Sequence, residues 1–280
     1  MTAESGRRCA VLGSPIAHSL SPELHRAAYA ALGLDWTYGR VEVRARELPW
    51  FVNGLDESWR GLSLTMPLKT AVLGLGEVDD LARLAGAGNT LVLGPSGRRV
   101  YNTDVGGLLA SVGAQTSDPI DRVTILGSGA TARSALVSAS RLGASDVAVL
   151  ARTPERAAAL VEMGRTTGMV VTAYPWTTDV PVADLLISTV PPAAAAPLAA
   201  GAAASAPVVF DAIYEPWPTP LAAAAERRGR TVISGLDLLV HQAVLQVELM
   251  TGRTVPPDVL YAALPTRLVS VRRRHDNDPR

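Results

Sequence analysis

Apolar positions follow two rhythms along this chain, and the rhythm becomes more regular beyond about residue 104. In the first part, Arg8–Gly13 is a short apolar run that reads as a strand. Ser21-Pro22-Glu23 then opens a helix with Leu24, Ala27, Ala28 and Ala31 on one face. Residues 36–43 have strand character and 46–55 read as a helix. Leu62, Leu64 and Met66 alternate with polar or small residues until Pro67 ends the strand. Residues 89–93 and 99–101, joined by the turn Gly94-Pro-Ser-Gly97, read as a hairpin. In the second part, strands near Val123, Val147, Met169, Leu185, Val208 and Val232 alternate with helical or turn segments. That alternation predicts a doubly wound, mainly parallel sheet. A helix over 236–250 and a shorter one over 257–264 follow.

These elements predict an α/β protein of two domains. Residues 1–103 with 236–268 form an α/β domain completed by the C-terminal helices, and 104–235 form a Rossmann-like domain. Substrate is expected in the cleft between them. Residues 269–280, with Arg272-Arg273-Arg274 beside Asp276 and Asp278, read as a disordered, solvated tail.

A chain of 280 residues with 48% hydrophobic content can support two modest cores. Lys plus Arg and Asp plus Glu both number 26, so nothing points to nucleic acid or an anionic membrane surface as partner. The single cysteine, Cys9, excludes a disulfide framework and fits a reducing cytoplasm. The N-terminus has no signal-peptide core, and no unbroken apolar run reaches spanning length; 191–206 is Ala-rich but carries prolines.

The strongest chemical signal is Val123-Thr-Ile-Leu-Gly127-Ser128-Gly129-Ala130-Thr131-Ala132. It reads as a buried strand that stops at a glycine turn and enters a helix. Gly127 permits the turn, Gly129 lets backbone approach a pyrophosphate, and Ala132 allows close helix–strand packing. The next strand ends at Ala151-Arg152-Thr153-Pro-Glu-Arg156, where an NAD site usually carries an acid for the ribose 2′-OH. Arg152 and Arg156 suit a 2′-phosphate instead, so the expected cofactor is NADP. Thr153 is placed as N-cap, with Arg156 in the first turn, where a cation opposes the helix dipole unless an anion is present.

Four polar constellations lie outside that unit. Ser19 and Ser21 sit one residue apart between a strand and a helix, where hydroxyls and free N–H groups suit a carboxylate; helix capping by Ser21 is the plainer alternative. His18 and His25 lack a third ligand at useful spacing, so no metal site is expected. Thr65-Met66-Pro67-Leu68-Lys69 places a lysine just beyond an apolar strand, pointing to a cleft or simply to solvent. Asn89-Thr90 and Asn102-Thr103-Asp104 place polar groups at strand ends, where turn chemistry also favours them. Together they can hold a small polyhydroxy acid, with a lysine and an aspartate to manage the hydroxyl proton while a nicotinamide takes hydride.

In this order, the motifs resemble the shikimate dehydrogenase family over about Cys9 to Gly252. The resemblance also covers Asp211-Ala-Ile-Tyr214-Glu-Pro-Trp-Pro-Thr-Pro220 and Gly235-Leu-Asp-Leu-Leu-Val-His-Gln242-Ala243. It implies reversible NADP-dependent reduction of 3-dehydroshikimate to shikimate, on the route to chorismate and the aromatic amino acids. It implies that Ser19, Ser21 and Tyr214 hold the substrate carboxylate region. Thr65, Asn89, Asp104 and Gln242 would contact hydroxyls or ring, and Lys69 with Asp104 would form the catalytic pair. Gly127, Ser128, Gly129, Ala130, Thr131, Ala151, Arg152, Thr153 and Arg156 would bind NADP, with Ala212 and Gly235 near the nicotinamide. On the residues alone, Tyr214 also reads as a cleft-edge tyrosine and Gln242 as a polar helix position beside His241.

Three departures stand out. Ala151 occupies a position often Asn in the family, Ser63 occupies another, and Val190-Pro191-Pro192 changes the loop after Ser188-Thr189. Quinate-using relatives often carry Thr at the position of Ser21, so shikimate is the expected substrate over quinate. Alternatives are a quinate or aminoshikimate dehydrogenase, or a catalytically silent NADP-binding regulator; the retained Lys69 and Asp104 argue against silence. A small-molecule partner and a monomer or homodimer complete the expectation.

Overall fold

The structure, a computed structural model, describes residues 6–265 and 268. It separates into two units, Met1–Thr103 with Val240–Arg280, and Asp104–Leu239. The expected disordered tail, residues 269–280, lies outside the described residues.

The first unit begins with β1 (Arg8–Gly13), α1 (Ser21–Ala31), β2 (Thr37–Glu42), α2 (Leu48–Asn53) and β3 (Trp59–Leu64). It continues with β4 (Glu77–Val78), α3 (Asp80–Ala85), β5 (Thr90–Gly94) and β6 (Gly97–Tyr101). The sheet runs β2-β1-β3-β5-β6-β4. Strands β1, β2 and β3 are parallel, while β5 is antiparallel to β3 and β6. Period-two alternation divides its side chains between two cores. Ala10, Leu12, Leu62 and Leu64 face Leu48, Val52, Leu68 and Val72, whereas Cys9 and Val11 face Tyr29, Trp36, Tyr38 and Met250.

Three local expectations need correction. The helix expected over 46–55 is a 3₁₀ turn, Ala45–Glu47, leading into α2. Pro49 has no N–H and is confined to a first turn, so the α-helix starts at Leu48. Met66 does not continue β3; the chain turns there, with Leu68 N–H donating to Thr65 O at 2.8 Å, and Met66 is 68% exposed. The buried face of α1 is Leu24, His25, Ala28 and Tyr29, with Ala31 exposed. Rings win over alanines there: His25 stacks on Tyr38 with centroids 4.0 Å apart, and Tyr29 meets Trp36 edge-on at 5.5 Å.

Helix α4 (Thr103–Gly113) leads into the second unit. There follow β7 (Arg122–Leu126), α5 (Ala130–Leu142), β8 (Asp146–Ala151), α6 (Ala158–Thr167), β9 (Val170–Pro175) and β10 (Leu185–Ser188). Then come α7 (Pro192–Ala195), α8 (Ala199–Ser205), β11 (Val208–Asp211), α9 (Pro220–Glu226) and β12 (Thr231–Ser234). All neighbours in the sheet β12-β11-β10-β7-β8-β9 are parallel. This is the doubly wound order that the alternation predicts, with its switch point between β7 and β10. Both faces are covered. Ile125, Val149, Ile187 and Phe210 meet Ala135, Leu136 and Leu160 on one side, and Leu126, Leu150, Leu186 and Val209 meet Ala202, Leu221 and Ala225 on the other. Double burial explains why these strands read as continuous apolar runs. Helices α10 (Gly235–Thr251) and α11 (Pro257–Ala262) follow, and the division between units falls inside α10. Among the described residues, no helix is long and apolar enough to cross a membrane.

Candidate active site

In the first unit the sheet register gathers candidate side chains at one edge. Leu12 pairs with Leu64, Ser63 with Thr90, and Thr90 with Tyr101. The carboxyl ends of β1, β3 and β6 and the start of β5 therefore lie side by side. Thr65 leaves β3 there, its N–H donating to Leu12 O at 2.9 Å. Leu68 is fully buried and anchors the turn, and Lys69, half-buried, accepts at its carbonyl from Gly88 N–H at 2.7 Å. That bond ties the lysine turn to the segment leading into Asn89.

Ser19 and Ser21 are both buried beyond β1. Ser21 does not cap α1: it is the first helical residue, and Leu20 occupies the cap without a side-chain bond. Instead Ser21 N–H donates to Ser19 Oγ at 3.3 Å, and the two hydroxyls are 3.3 Å apart. Arg40 steadies this turn. Its Nε donates to Ser19 O at 2.7 Å while Nη2 pairs with both Glu23 oxygens at 2.7 and 2.8 Å.

Asn89 is 2% exposed and its amide orientation is set on both sides. Oδ1 accepts from Thr103 N–H at 2.8 Å, while Nδ2 donates to Thr103 Oγ1 at 2.9 Å and to Gln242 Oε1 at 3.3 Å. One helical turn beyond Gln242, Gln246 supports the same group. Its Nε2 donates to Asn89 O at 3.2 Å and to Thr90 Oγ1 at 3.0 Å. Its Oε1 accepts from Ser63 Oγ at 2.6 Å and from His25 Nε2 at 3.2 Å. Tyr38 O–H donates to Ser63 Oγ at 2.6 Å, so Ser63, a departure in the sequence, relays a bond through one hydroxyl. Burial holds His25 down, to a pKa of about 4, against the raising effect of Gln246; it is a neutral core residue. Sequence reasoning missed Arg40 and Gln246, and named Thr103 only as part of the Asn102-Thr103-Asp104 constellation, not as the group that orients Asn89. The i, i+4 spacing of the two glutamines on one helix was the available signal for Gln246.

In the second unit, the glycine turn lies at the end of β7, beside the switch point. Gly127 has φ +112°, and a Cβ there would sit 2.5 Å from Thr189 Oγ1 across on the β10 side. A Cβ on Gly129 would meet no heavy atom within 4 Å, and Gly129 caps α5 without a side chain. At the N-terminus of α5, Gly129 is exposed and Ser128, Ala130 and Thr131 are half-buried. Ala151, 2% exposed, closes β8. Arg152, Thr153 and Arg156 beyond it are exposed. Thr153 holds the cap position of the 3₁₀ turn Pro154–Ala157 but makes no side-chain cap bond. An open helix N-terminus followed by unburied cations fits a pyrophosphate and a 2′-phosphate.

Asp104, 5% exposed, occupies the first turn of α4. Tyr214 and Ala212 are half-buried on the loop after β11. Gly235 N–H donates to Ile213 O at 3.3 Å, and a Cβ on Gly235 would lie 2.3 Å from Ala212 O, so only glycine permits this approach. Lys69 and Asp104 belong to different units, as do Tyr214 and Ser19. Among the described residues no group of His, Cys, Asp and Glu is arranged to hold a metal ion.

A cleft of about 560 Å³ in the first unit is lined by Arg7, Val52, Trp59, Arg60, Leu93 and Arg98, among others. Trp59 and Arg60 begin β3 and Leu93 ends β5, so this cleft lies at the opposite end of the strands from Thr65 and Asn89. Its arginines are committed to structure: Arg60 donates to Met250 O and Leu93 O, and Arg98 to Val52 O and Asn53 Oδ1.

Comparison with known proteins gives a consistent result. Residues 11–91 match the family model of the shikimate dehydrogenase substrate binding domain, and 235–264 that of the shikimate 5′-dehydrogenase C-terminal domain. The shikimate dehydrogenase (NADP(+)) of Methanothermobacter thermautotrophicus is 36% identical over 270 residues, covering 91% of this chain and 94% of its own. The crystal structure of Mycobacterium tuberculosis shikimate dehydrogenase is 45% identical with a TM-score of 0.86, covering 92% of this chain and 98% of that one. Shikimate 5-dehydrogenase from Thermus thermophilus, in complex with NADP(H) and shikimate, is 30% identical with a TM-score of 0.79, over 92% and 98%.

Proposed function

We infer the reaction of this chain from kinship: it belongs to the shikimate dehydrogenase family. It is an NADP-dependent oxidoreductase that reversibly reduces 3-dehydroshikimate to shikimate, in the pathway to chorismate and the aromatic amino acids. The observation that best supports this is the strand-end edge of the first unit. There Ser63 of β3, Asn89 and Thr90 at the start of β5 and Thr103 after β6 form a hydrogen-bonded polar group with Gln242 and Gln246, in contrast to the apolar side chains that fill both cores.

Ser19, Ser21 and Tyr214 take the substrate carboxylate region, and Thr65, Asn89 and Gln242 take hydroxyls or ring. The Ser19–Ser21 turn presents two hydroxyls and is held from behind by Arg40, so little side-chain entropy remains to be lost on binding. The clamped amide of Asn89 fixes Gln242 through the bond at 3.3 Å. Lys69 and Asp104 form the catalytic pair that handles the proton of the reacting hydroxyl, in either direction of the reaction. Bound NADP supplies the hydride acceptor and NADPH the donor. Gly127, Ser128, Gly129, Ala130 and Thr131 receive the pyrophosphate, and Ala151, Arg152, Thr153 and Arg156 receive the adenosine end. Ala212 and Gly235 flank the nicotinamide. Ser21 favours shikimate over quinate, which needs room for an added hydroxyl beside the carboxylate. We place the chain in the cytoplasm, working as a monomer or homodimer.

Initial rates with shikimate, quinate and aminoshikimate, each with NADP⁺ and NAD⁺, test the reading. Shikimate with NADP⁺ is expected to give the highest kcat/KM. Quinate at or above that value, or no turnover of any of the three, overturns it.

A further inference from the structure

We propose that Asp211 is a positioning residue: its carboxylate clasps both ends of the loop that carries Ala212 and Tyr214. The inference rests on the reading above that Tyr214 meets the substrate.

Asp211 ends β11 with β10 and β12 on either side, paired with Ser188 and Ser234. It is 1% exposed, at a strand end where an apolar residue would avoid the desolvation of a carboxyl. Its two oxygens reach in different directions along the chain. Oδ1 accepts from Ile213 N–H at 3.2 Å, at the start of the loop. Oδ2 accepts from Thr219 O–H at 2.6 Å, at its end. That distance is typical of a charge-assisted O–H···O⁻ bond. Thr219 in turn caps α9, accepting from Ala222 N–H at 3.0 Å. Residues 212–219 thus leave and rejoin the sheet-and-helix frame at one carboxylate. Burial pushes the Asp211 carboxyl up to about 6, while the Thr219 and Ile213 bonds pull it down, as expected for an acid retained for its acceptors. Ala212 N–H donates to Ser188 O at 2.9 Å, so the loop start is held by strand and clasp together.

A carboxylate that only stabilises the sheet and one that aims Tyr214 predict different couplings. The test measures initial rates with shikimate and NADP⁺ for Asp211→Ala, Asp211→Asn and Tyr214→Phe, and for each Asp211 change combined with Tyr214→Phe. Tyr214→Phe is expected to raise KM for shikimate. Asp211→Ala is expected to raise it on the order of tenfold, and Asp211→Asn to recover most of this, since an amide can still accept from Ile213 and meet Thr219. In the Tyr214→Phe background, Asp211→Ala should change KM by less than about threefold, because the group it aims is gone. Effects that multiply, or an Asp211→Ala protein with parental KM, overturn the clasp while leaving Tyr214 in its role. A Tyr214→Phe protein with parental KM refutes the substrate role of Tyr214 and the proposal with it. Should Asp211→Ala not fold, Thr219→Val removes the Oδ2 bond together with the α9 cap bond, Thr219→Ser restores both, and the same comparison in the Tyr214→Phe background decides.

Discussion

Replacing His25 with Phe is expected to reverse sign in its effect on stability between pH 7 and pH 4.5. His25 is fully buried in the first unit, stacked on Tyr38 at 4.0 Å, and its Nε2 faces Gln246 Oε1 at 3.2 Å. Burial lowers its pKa from 6.5 to about 4, so the folded chain carries it neutral where the unfolded chain protonates it. Stability is therefore fully present above 6.5 and is lost as pH falls from there to about 4. Between pH 7 and 4.5 the loss is roughly 2–3 kcal/mol. Phe keeps the stack and removes the titration. It also forfeits one hydrogen bond to Gln246, which keeps its bond from Ser63, so it costs about 1 kcal/mol at pH 7. At pH 4.5 the variant should exceed the parent by roughly 1–2 kcal/mol.

The difference between the two proteins is the quantity to read, since Asp211 pulls the other way. Its pKa is raised from 3.8 to about 6, so its contribution is present below 3.8 and is lost as pH rises to about 6. The parent curve alone can look flat for that reason. Urea unfolding of both proteins at the two pH values, with hydrogen exchange at β1 and β3 to report the first unit, measures the difference. Parallel pH dependences for parent and variant would refute the assignment of His25 as a neutral core residue.

Arg152→Asp should weaken kcat/KM with NADP⁺ on the order of 100-fold and spare or improve NAD⁺; equal values for the two cofactors in the parent contradict the cation argument. Gly127→Ala places a Cβ 2.5 Å from Thr189 Oγ1 at φ +112°, so it should lower stability by roughly 1–3 kcal/mol and abolish NADP⁺ binding, read by thermal melting and titration. Cys9 is 2% exposed with its thiol pushed up to about 11 by burial, so a disulfide reagent should label it only after unfolding; rapid labelling of the native protein would contradict this.

The second unit is the more legible in sequence, for a physical reason. Apart from the edge strand β9, its strands are largely buried between two cores and so announce themselves as apolar runs, each ending in a glycine or polar turn. The glycine turn at 127–129 falls at a strand–helix junction, as its spacing predicts. The first unit hides more. A 3₁₀ turn over Ala71–Leu75, the two-residue β4 and the short α3 leave too little periodicity to read, although Asp79, which accepts from Ala82 N–H, is a cap signal in plain view. The face of α1 misleads because alanine tolerates either side of a helix, while His25 and Tyr29 look polar in sequence yet pack as rings. Candidate residues at strand ends can be named from sequence, but their supports cannot. Ser63, Gln246 and Arg40 gain meaning only once the fold brings them to Tyr38, Asn89 and Ser19.

The most direct test of the account is the kinetics of Lys69→Ala and Lys69→Met with shikimate and NADP⁺. Lys69 lies on the turn tied to Gly88, next to the clamped Asn89, and its assigned work is the hydroxyl proton. Losing that work should lower kcat by about 10²–10⁴. KM for shikimate should change far less, because Ser19, Ser21, Asn89 and Gln242 remain. NADP⁺ binding, measured by titration, should match the parent. A folded Lys69→Ala protein that binds NADP⁺ normally and keeps a kcat near the parent value would show that the proton is handled elsewhere.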